Sequence, residues 1–482
     1  MQGPKSSFTR RQFMASTAAG ASLVHATSLA GQSSGGTANW NSPAVVRKAY
    51  LSGTHAGWPH PGFDLQADIR KIEAHLAELE RRYPGRIRFT GGEVLHNADE
   101  AAAWNATSGD ADAVLAFNMT TGRYPTLEKV VSAGRPVLLF ALPYTGHDWS
   151  HCSAFTQMGM KADVIASSDF AELDPYVDVF QTIHHLRNSK VLVIGPEKTR
   201  PSGQNYHDHF GTNFAFPSYL DIKAAFEAAD SKEAERLADE FIRKAAKVVE
   251  PPRSEIVDSM RLYLGILQMM KQENANAITI DCLGGFGRKQ LPAYPCIAFS
   301  KLNDIGQYGV CECDLESTMT QLLVTSFSGK PGFVSDPVFD TSRNEVIHAH
   351  CVSATAMDGV GTPGSPYMVR THLEDHKGVS MQVLVNTEGP VTVARFSGPD
   401  KLLIATAEAT GNVDDESGCR TKIRTKVTDA RKYLRNWGLV RVSGVKPSNT
   451  RDLLHRVVFY GDHVEMVERI GRLTGFQVLH EL

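Results

Sequence analysis

Two carboxylates, Glu312 and Asp336, stand out in this 482-residue sequence, inside a block over residues 295–336 that reads PCIAFSKLNDIGQYGVCECDLESTMTQLLVTSFSGKPGFVSD. Each closes an apolar, β-like run, and strand ends are where open α/β sheets collect their ligands. They mark a candidate chemical site. Residues 315–327 between them read as a helix, with Leu322, Leu323 and Val324 available for packing. If residues 309–314 are extended, the period of two puts Glu312 and Asp314 on one face and Cys311 and Cys313 on the other. Asp314 is placed to cap the helix that follows, whereas Glu312 lies too deep in the strand to do so.

These groups need a scaffold. Residues 45–51, 87–89, 113–117 and 137–142 are short strand-like runs, separated by helix-like or loop segments such as 65–83 and 124–133. That alternation predicts a parallel sheet covered on both faces. The pattern restarts after about residue 165, with strand-like runs at 191–194, 277–281 and 308–312 and long amphipathic helices at 231–249 and 254–272. From Phe333 the texture changes to short β-like runs at 345–352, 378–385, 391–394, 402–408 and 439–442, joined by Gly, Pro and Asp, and a helix returns only at 464–474. The expected fold class is α/β: two doubly wound parallel-sheet domains, 42–165 and 166–330, followed by a mostly antiparallel, β-barrel-like C-terminal domain, 331–482.

The composition, 42% hydrophobic and 21% charged, is that of a globular chain. A net charge of -3 without a long run of one sign argues against a nucleic-acid partner, whose phosphates call for a basic face. A small neutral or weakly charged ligand fits better. Residues 7–14, SFTRRQFM, resemble the twin-arginine export signal, with Arg10 and Arg11 as its pair. The stretch at 15–29 is too short and too rich in Ala, Gly and Ser for a stable membrane span, which needs about 20 strongly apolar residues. Residues 1–41 therefore read as signal and linker, with cleavage after Ala26 or Ala30 and a periplasmic or extracellular destination. Twin-arginine cargo travels folded, so a metal can be inserted before export. The seven cysteines are odd in number, scattered and mostly inside apolar runs, the pattern of buried free thiols. Cys311 and Cys313 form a CxC with no second pair to complete a zinc set.

The block around Glu312 resembles the fucose isomerase family, which interconverts aldoses and ketoses. In that family a Glu at a strand end and an Asp 24 residues later bind a divalent metal, usually manganese; here 336 − 312 = 24, with a helix between. The turn Ser328-Gly329-Lys330-Pro331, the approach Ser300-Lys301-Leu302-Asn303-Asp304-Ile305-Gly306, and Gly364-Ser365-Pro366-Tyr367 with Thr371-His372 are similar to family segments. So is LHRVVFYGDH at 454–463, which maps the third metal ligand onto His455. The likeness covers roughly residues 250–475 with useful motifs and the earlier chain at the level of fold. Where many members carry a second adjacent His, this chain has Arg456. The resemblance implies that Glu312, Asp336 and His455 hold Mn2+ or a similar divalent ion, and that Glu312 and Asp336 serve the proton transfers. It also implies a sugar substrate and a homo-oligomer, trimer or hexamer. The alternative is an exported sugar-binding or sensing protein that keeps the fold without turnover.

Other constellations are weaker. His348 and His350 share a face of a probable strand and could bind a metal, but contact with sugar hydroxyls or simple burial is the commoner use. His207-Asp208-His209 reads as loop, and His184-His185 as a helix or its end. Gly284-Gly285-Phe286-Gly287 holds a GxG, but Gln290 leaves the dinucleotide fingerprint incomplete. A GxSxG string occurs at 31–35, inside the expected signal and linker, and no P-loop is present.

Overall fold

Continuous apolar runs followed by amphipathic ones build the first sheet. Its strands are β1 (Ala44–Leu51), β2 (Ile87–Leu95), β3 (Ala113–Asn118), β4 (Val137–Ala141) and β5 (Ala162–Ala166), all parallel in the order β2-β1-β3-β4-β5. Every residue of β3 is buried, as expected of a parallel strand covered on both faces. Helix Leu65–Arg82 covers the sheet with Ile72, Leu76 and Leu79, and starts where the Asp64 side chain accepts from Ala67 N at 3.0 Å. This computed structural model describes residues 39–54, 62, 64–107, 109–386, 388–438 and 454–482. The expected export signal and the expected strand at 439–442 lie outside the described residues.

The next strands are β6 (Lys190–Ile194), β7 (Asn213–Ala215), β8 (Lys247–Val248), β9 (Ala277–Ile280) and β10 (Tyr308–Cys311). Four of them form a second parallel sheet, in the order β10-β9-β6-β7. The C-terminal region contributes β11 (Phe333–Asp340), β12 (Glu345–His350), β13 (Tyr367–Arg370), β14 (Ser380–Val383), β15 (Pro390–Phe396), β16 (Lys401–Asn412), β17 (Thr421–Lys426), β18 (Arg456–Tyr460) and β19 (Gln477–His480). Strands β15, β18, β11, β12, β17 and β16 run antiparallel, and β15–β16 pairing closes them into a six-stranded barrel. Strand β19 adds to β16 in parallel, and β8, β13 and β14 make a small side sheet. The α/β class with two parallel sheets and a barrel is the one expected.

Some local expectations need correction. The run at 87–89 continues to Leu95, because Gly91 and Gly92 take positive φ at a register shift against Lys48 and Ala49 rather than ending the strand. The run at 378–385 joins the side sheet and not the barrel. A second C-terminal helix, Ala430–Asn436, is capped by Asp429, which accepts from Lys432 N. His207, Asp208 and His209 lie on helix Arg200–Phe210, whose polar sequence masks its buried positions at Gly203, Tyr206 and Phe210. All seven cysteines are free and six are buried, as their apolar settings suggested. No helix among the described residues is long and apolar enough to cross a membrane.

One apolar cluster runs from Leu115 and Phe140 of the first sheet, through Ile183 of helix Asp174–Asn188 and Val310 of β10, to Phe396 and Phe459 of the barrel. This shared core ties the three sheets into one compact unit from Ala38 to Leu482. Two buried imidazoles, His185 and His348, and the half-buried His209 predict its acid stability. His185 Nδ1 donates to the Trp40 carbonyl at 3.3 Å and Nε2 accepts from the Tyr308 hydroxyl at 3.0 Å. Burial pushes His185 and His209 down to about 4 and His348 to about 3. Unfolded histidine titrates near about 6.5. Between those values the unfolded chain takes up protons that the folded chain refuses, so stability is full above about 6.5 and is lost as pH falls towards 4. The urea midpoint is expected to drop across that window, and His185→Gln to make the drop shallower. A midpoint flat from pH 7 to 4 contradicts this.

Candidate metal centre

The site is assembled where β10 ends. Glu312 and Cys313 do not continue the strand, as the reading of residues 309–314 as extended assumed: their φ angles are 62° and 56°, in the left-handed region. Such residues cost on the order of 1–3 kcal/mol each and persist where the surroundings fix them. Here Cys313 N donates to Ile280 O at 3.0 Å, and the Asp314 carboxylate accepts from Ser317 N at 3.1 Å and from the Ser317 hydroxyl at 2.7 Å, capping helix Leu315–Ser328. A Cβ on Gly195 would come within 2.4 Å of the Cys313 sulfur, so that position has room only for glycine. The turn abolishes the expected alternation and aims the Glu312 carboxylate at two imidazoles.

Those imidazoles come from the barrel. Asp336 is in the middle of β11, not at its end, because the strand runs through Pro337 to Asp340. Its register partner is Ala349, next to His350 on β12, while its neighbour Ser335 pairs with Arg456, next to His455 at the start of β18. Cross-strand pairing therefore sets Asp336 between the two histidines. His455 Nε2 lies 3.3 Å from Asp336 Oδ1 and 3.7 Å from Glu312 Oε2, and His350 Nε2 lies 3.7 Å from Glu312 Oε1. Ligand atoms of Glu312, His350 and His455 all fall within 4.8 Å of one another, and this buried cluster can hold a divalent metal ion. Asp336 Oδ1 is buried without a hydrogen bond among the described residues, since the His455 approach lacks hydrogen-bond geometry. A buried oxygen left so beside two imidazoles and a second carboxylate is what a cation would satisfy. The Asp336 side chain keeps 30% of its surface exposed against 15% for Glu312 and 1% for His455, so the cluster opens to solvent on the Asp336 side.

A second layer holds the first. His455 Nδ1 donates to Asp314 Oδ2 at 2.7 Å, and the same oxygen accepts from Arg395 Nη1 at 2.6 Å. The bond directs Nε2 at the cluster, the usual way a carboxylate orients a metal-binding imidazole. Burial pushes His455 down, but Asp314, Asp336 and Glu312 outweigh it and raise the imidazole to about 9. Burial likewise raises Glu312 and Asp336, and the facing imidazoles overcome it and hold both carboxyls below their ordinary value. Asp314 is driven well below the carboxylate range because Arg395 and His455 outweigh its burial.

Of the three residues expected from the sequence, Glu312 and His455 fall inside the cluster, and Asp336 lies beside it, against His455. His350 joins them, although burial or contact with hydroxyls seemed its commoner use; His348 instead faces the Ser335 hydroxyl at 3.0 Å. Asp314 is the expected helix cap and also orients His455. Arg395 had no local signal, being on β15 and 81 residues from Asp314. Arg456 is fully buried, paired with Glu481 at 2.9 and 2.6 Å and stacked over Trp437 at 3.7 Å, so it packs away from the cluster. The segment 284–287 is part of the short helix Cys282–Gly287. His184, on helix Asp174–Asn188, pairs with Asp112 at 2.8 Å, in the first half of the chain.

The approach to the turn is tight. A Cβ on Gly309 of β10 would meet the Phe299 backbone at 2.6 Å, on helix Cys296–Asp304. Gly309→Ala is expected to lower stability by about 1–3 kcal/mol in urea titrations, and an unchanged midpoint would show that the helix shifts freely.

Comparison with known families and proteins decides nothing further: no family model matches the chain, and no curated protein matches it.

Proposed function

We propose that the protein is a metal-dependent aldose-ketose isomerase, moving a sugar carbonyl between C1 and C2 through an enediol. The observation that carries this reading is the meeting of Glu312, Asp336, His350 and His455 from separate segments, with a buried Asp336 oxygen left unsatisfied. The local likeness to fucose isomerases around residues 295–336 and 454–463 points the same way. Two carboxylates and two imidazoles suit Mn2+ or a similar hard to borderline ion better than a thiolate-loving one. When bound, the ion supplies Lewis-acid polarisation of the sugar's carbonyl and hydroxyl oxygens.

The chain's own groups do the rest. Isomerisation removes a proton from one carbon and returns one to its neighbour, which needs a base of adjustable protonation beside both. Glu312 and Asp336 are held ionised by the imidazoles facing them, so each starts as a proton acceptor. Asp336, on the open side, is placed to meet the incoming sugar. Asp314 and Arg395 keep His455 from rotating away. We place the mature protein in the periplasm or outside the cell, after export by the twin-arginine route, and as a trimer or hexamer.

The test is to load the mature protein with Mn2+ and offer a panel of aldoses, following ketose formation. Conversion that requires the metal supports the isomerase. Sugar binding without metal and without conversion would move the protein to the class of exported sugar-binding or sensing proteins.

A further inference from the structure

A second polar cleft lies at the opposite ends of the first sheet's strands. Asp112, Pro136 and Lys161 immediately precede β3, β4 and β5, so the cleft opens at the amino ends of the strands. Its other walls are Ile183, Leu186 and Arg187 of helix Asp174–Asn188, His209 and Phe210 of helix Arg200–Phe210, and Thr474 at the end of helix Val464–Thr474. The cavity holds about 230 Å3, room for a small ion with a few waters.

Its charge is lopsided. Arg135, Lys161 and Arg187 line it with cations, and Asp112 is the only carboxylate among its lining residues. That carboxylate is already engaged: one oxygen accepts from Val45 N at 2.8 Å and faces His184 at 2.8 Å, and the other lies 3.3 Å from Arg187 Nη1. Lys161 has no carboxylate partner among the described residues; its ammonium reaches only the His209 carbonyl, at 3.4 Å. The His209 ring packs beside it, against the Thr474 backbone. A half-buried ammonium without a counter-charge is costly unless something else satisfies it. Burial alone holds Lys161 below its ordinary value, and burial with the Lys161 charge beside it pushes His209 down to about 4.

We propose that this cleft binds a small oxyanion, a phosphate or carboxylate group, with Lys161 as its main cationic contact. An anion there supplies the missing counter-charge, with Arg135 and Arg187 adding to the field. Bound so, the anion bridges the first sheet to the helices Asp174–Asn188 and Arg200–Phe210. The site is independent of the metal centre and of the isomerase reading.

The experiment is calorimetric titration of the metal-stripped mature protein with inorganic phosphate at constant ionic strength, with acetate and chloride as comparison arms. Saturable phosphate or acetate binding is expected, weakened at least tenfold in Lys161→Met, largely kept in Lys161→Arg, and unaffected by Glu312→Gln. The stronger of the two arms names the ligand group. Metal uptake by Lys161→Met checks that this variant is folded. Binding that survives Lys161→Met, equal weak binding of all three anions, or no saturable binding overturns the proposal.

Discussion

Glu312→Gln is expected to remove metal binding and turnover together. The amide keeps the shape of the side chain but loses the charge that faces His350 and His455, and it cannot accept a proton from a sugar carbon. General acid-base contributions run at about 10^2 to 10^4 in rate, so kcat/KM should fall by at least about 10^3-fold once loss of the ion is added. Metal content is the separating readout. A variant that holds a full complement of Mn2+ and still isomerises sugars at near the parent rate would remove Glu312 from the site. Stability is expected to fall as well, because the carboxylate is largely buried and held ionised against His350 and His455.

Asp314→Asn is expected to act through a different route, with a larger effect on folding. The carboxylate is 2% exposed, Arg395 opposite it 1%, and both sit in direct contact with His455 or its partner. Removing one charge leaves the buried guanidinium with only Glu316, at 3.9 Å, as a counter-charge, and breaking such a buried pair costs up to about 3–5 kcal/mol. Loss of the bond that aims His455 should weaken metal binding by about 10- to 100-fold on top of that. The double variant Asp314→Asn/Arg395→Met removes both charges and should recover much of the stability without restoring the metal. If the single variant unfolds at the parent urea concentration, the Asp314–Arg395 pair is not what fixes the helix Leu315–Ser328 against the barrel.

Much of the scaffold is legible because buried parallel strands are plain apolar runs: AVLAF inside β3 and VLLFA of β4 announce themselves, as does the change of texture after Phe333. The β-rich texture suggests a barrel, but the pairing that completes it, β15 with β18, joins segments far apart in the chain and is not legible. The same distance hides Arg395 from Asp314. Glu312 was read as the last residue of a strand, and nothing in its type hints at a left-handed turn, a conformation that a glycine or asparagine would have advertised. Asp336 closes an apolar run in the sequence, yet the strand continues through Pro337 to Asp340. The sequence pattern identified the residues, while the turn at Glu312 and the register of β11 against β12 and β18 explain why they meet. His350 was undervalued because an HxH on a strand is more often buried than ligating, and only the placement of Glu312 decides between those uses.

The central claim is proton transfer at a sugar carbon by this site, and hydrogen exchange reads it directly. The Mn2+-loaded mature protein is incubated with an aldose panel in deuterated water, and deuterium at C2 of recovered aldose, or at C1 of its ketose, is followed by NMR. Metal-dependent incorporation is expected for at least one aldose, lost in Glu312→Gln, even where the equilibrium yields little ketose. A fully metal-loaded protein that binds a sugar of the panel and leaves its carbon-bound hydrogens unexchanged would contradict it.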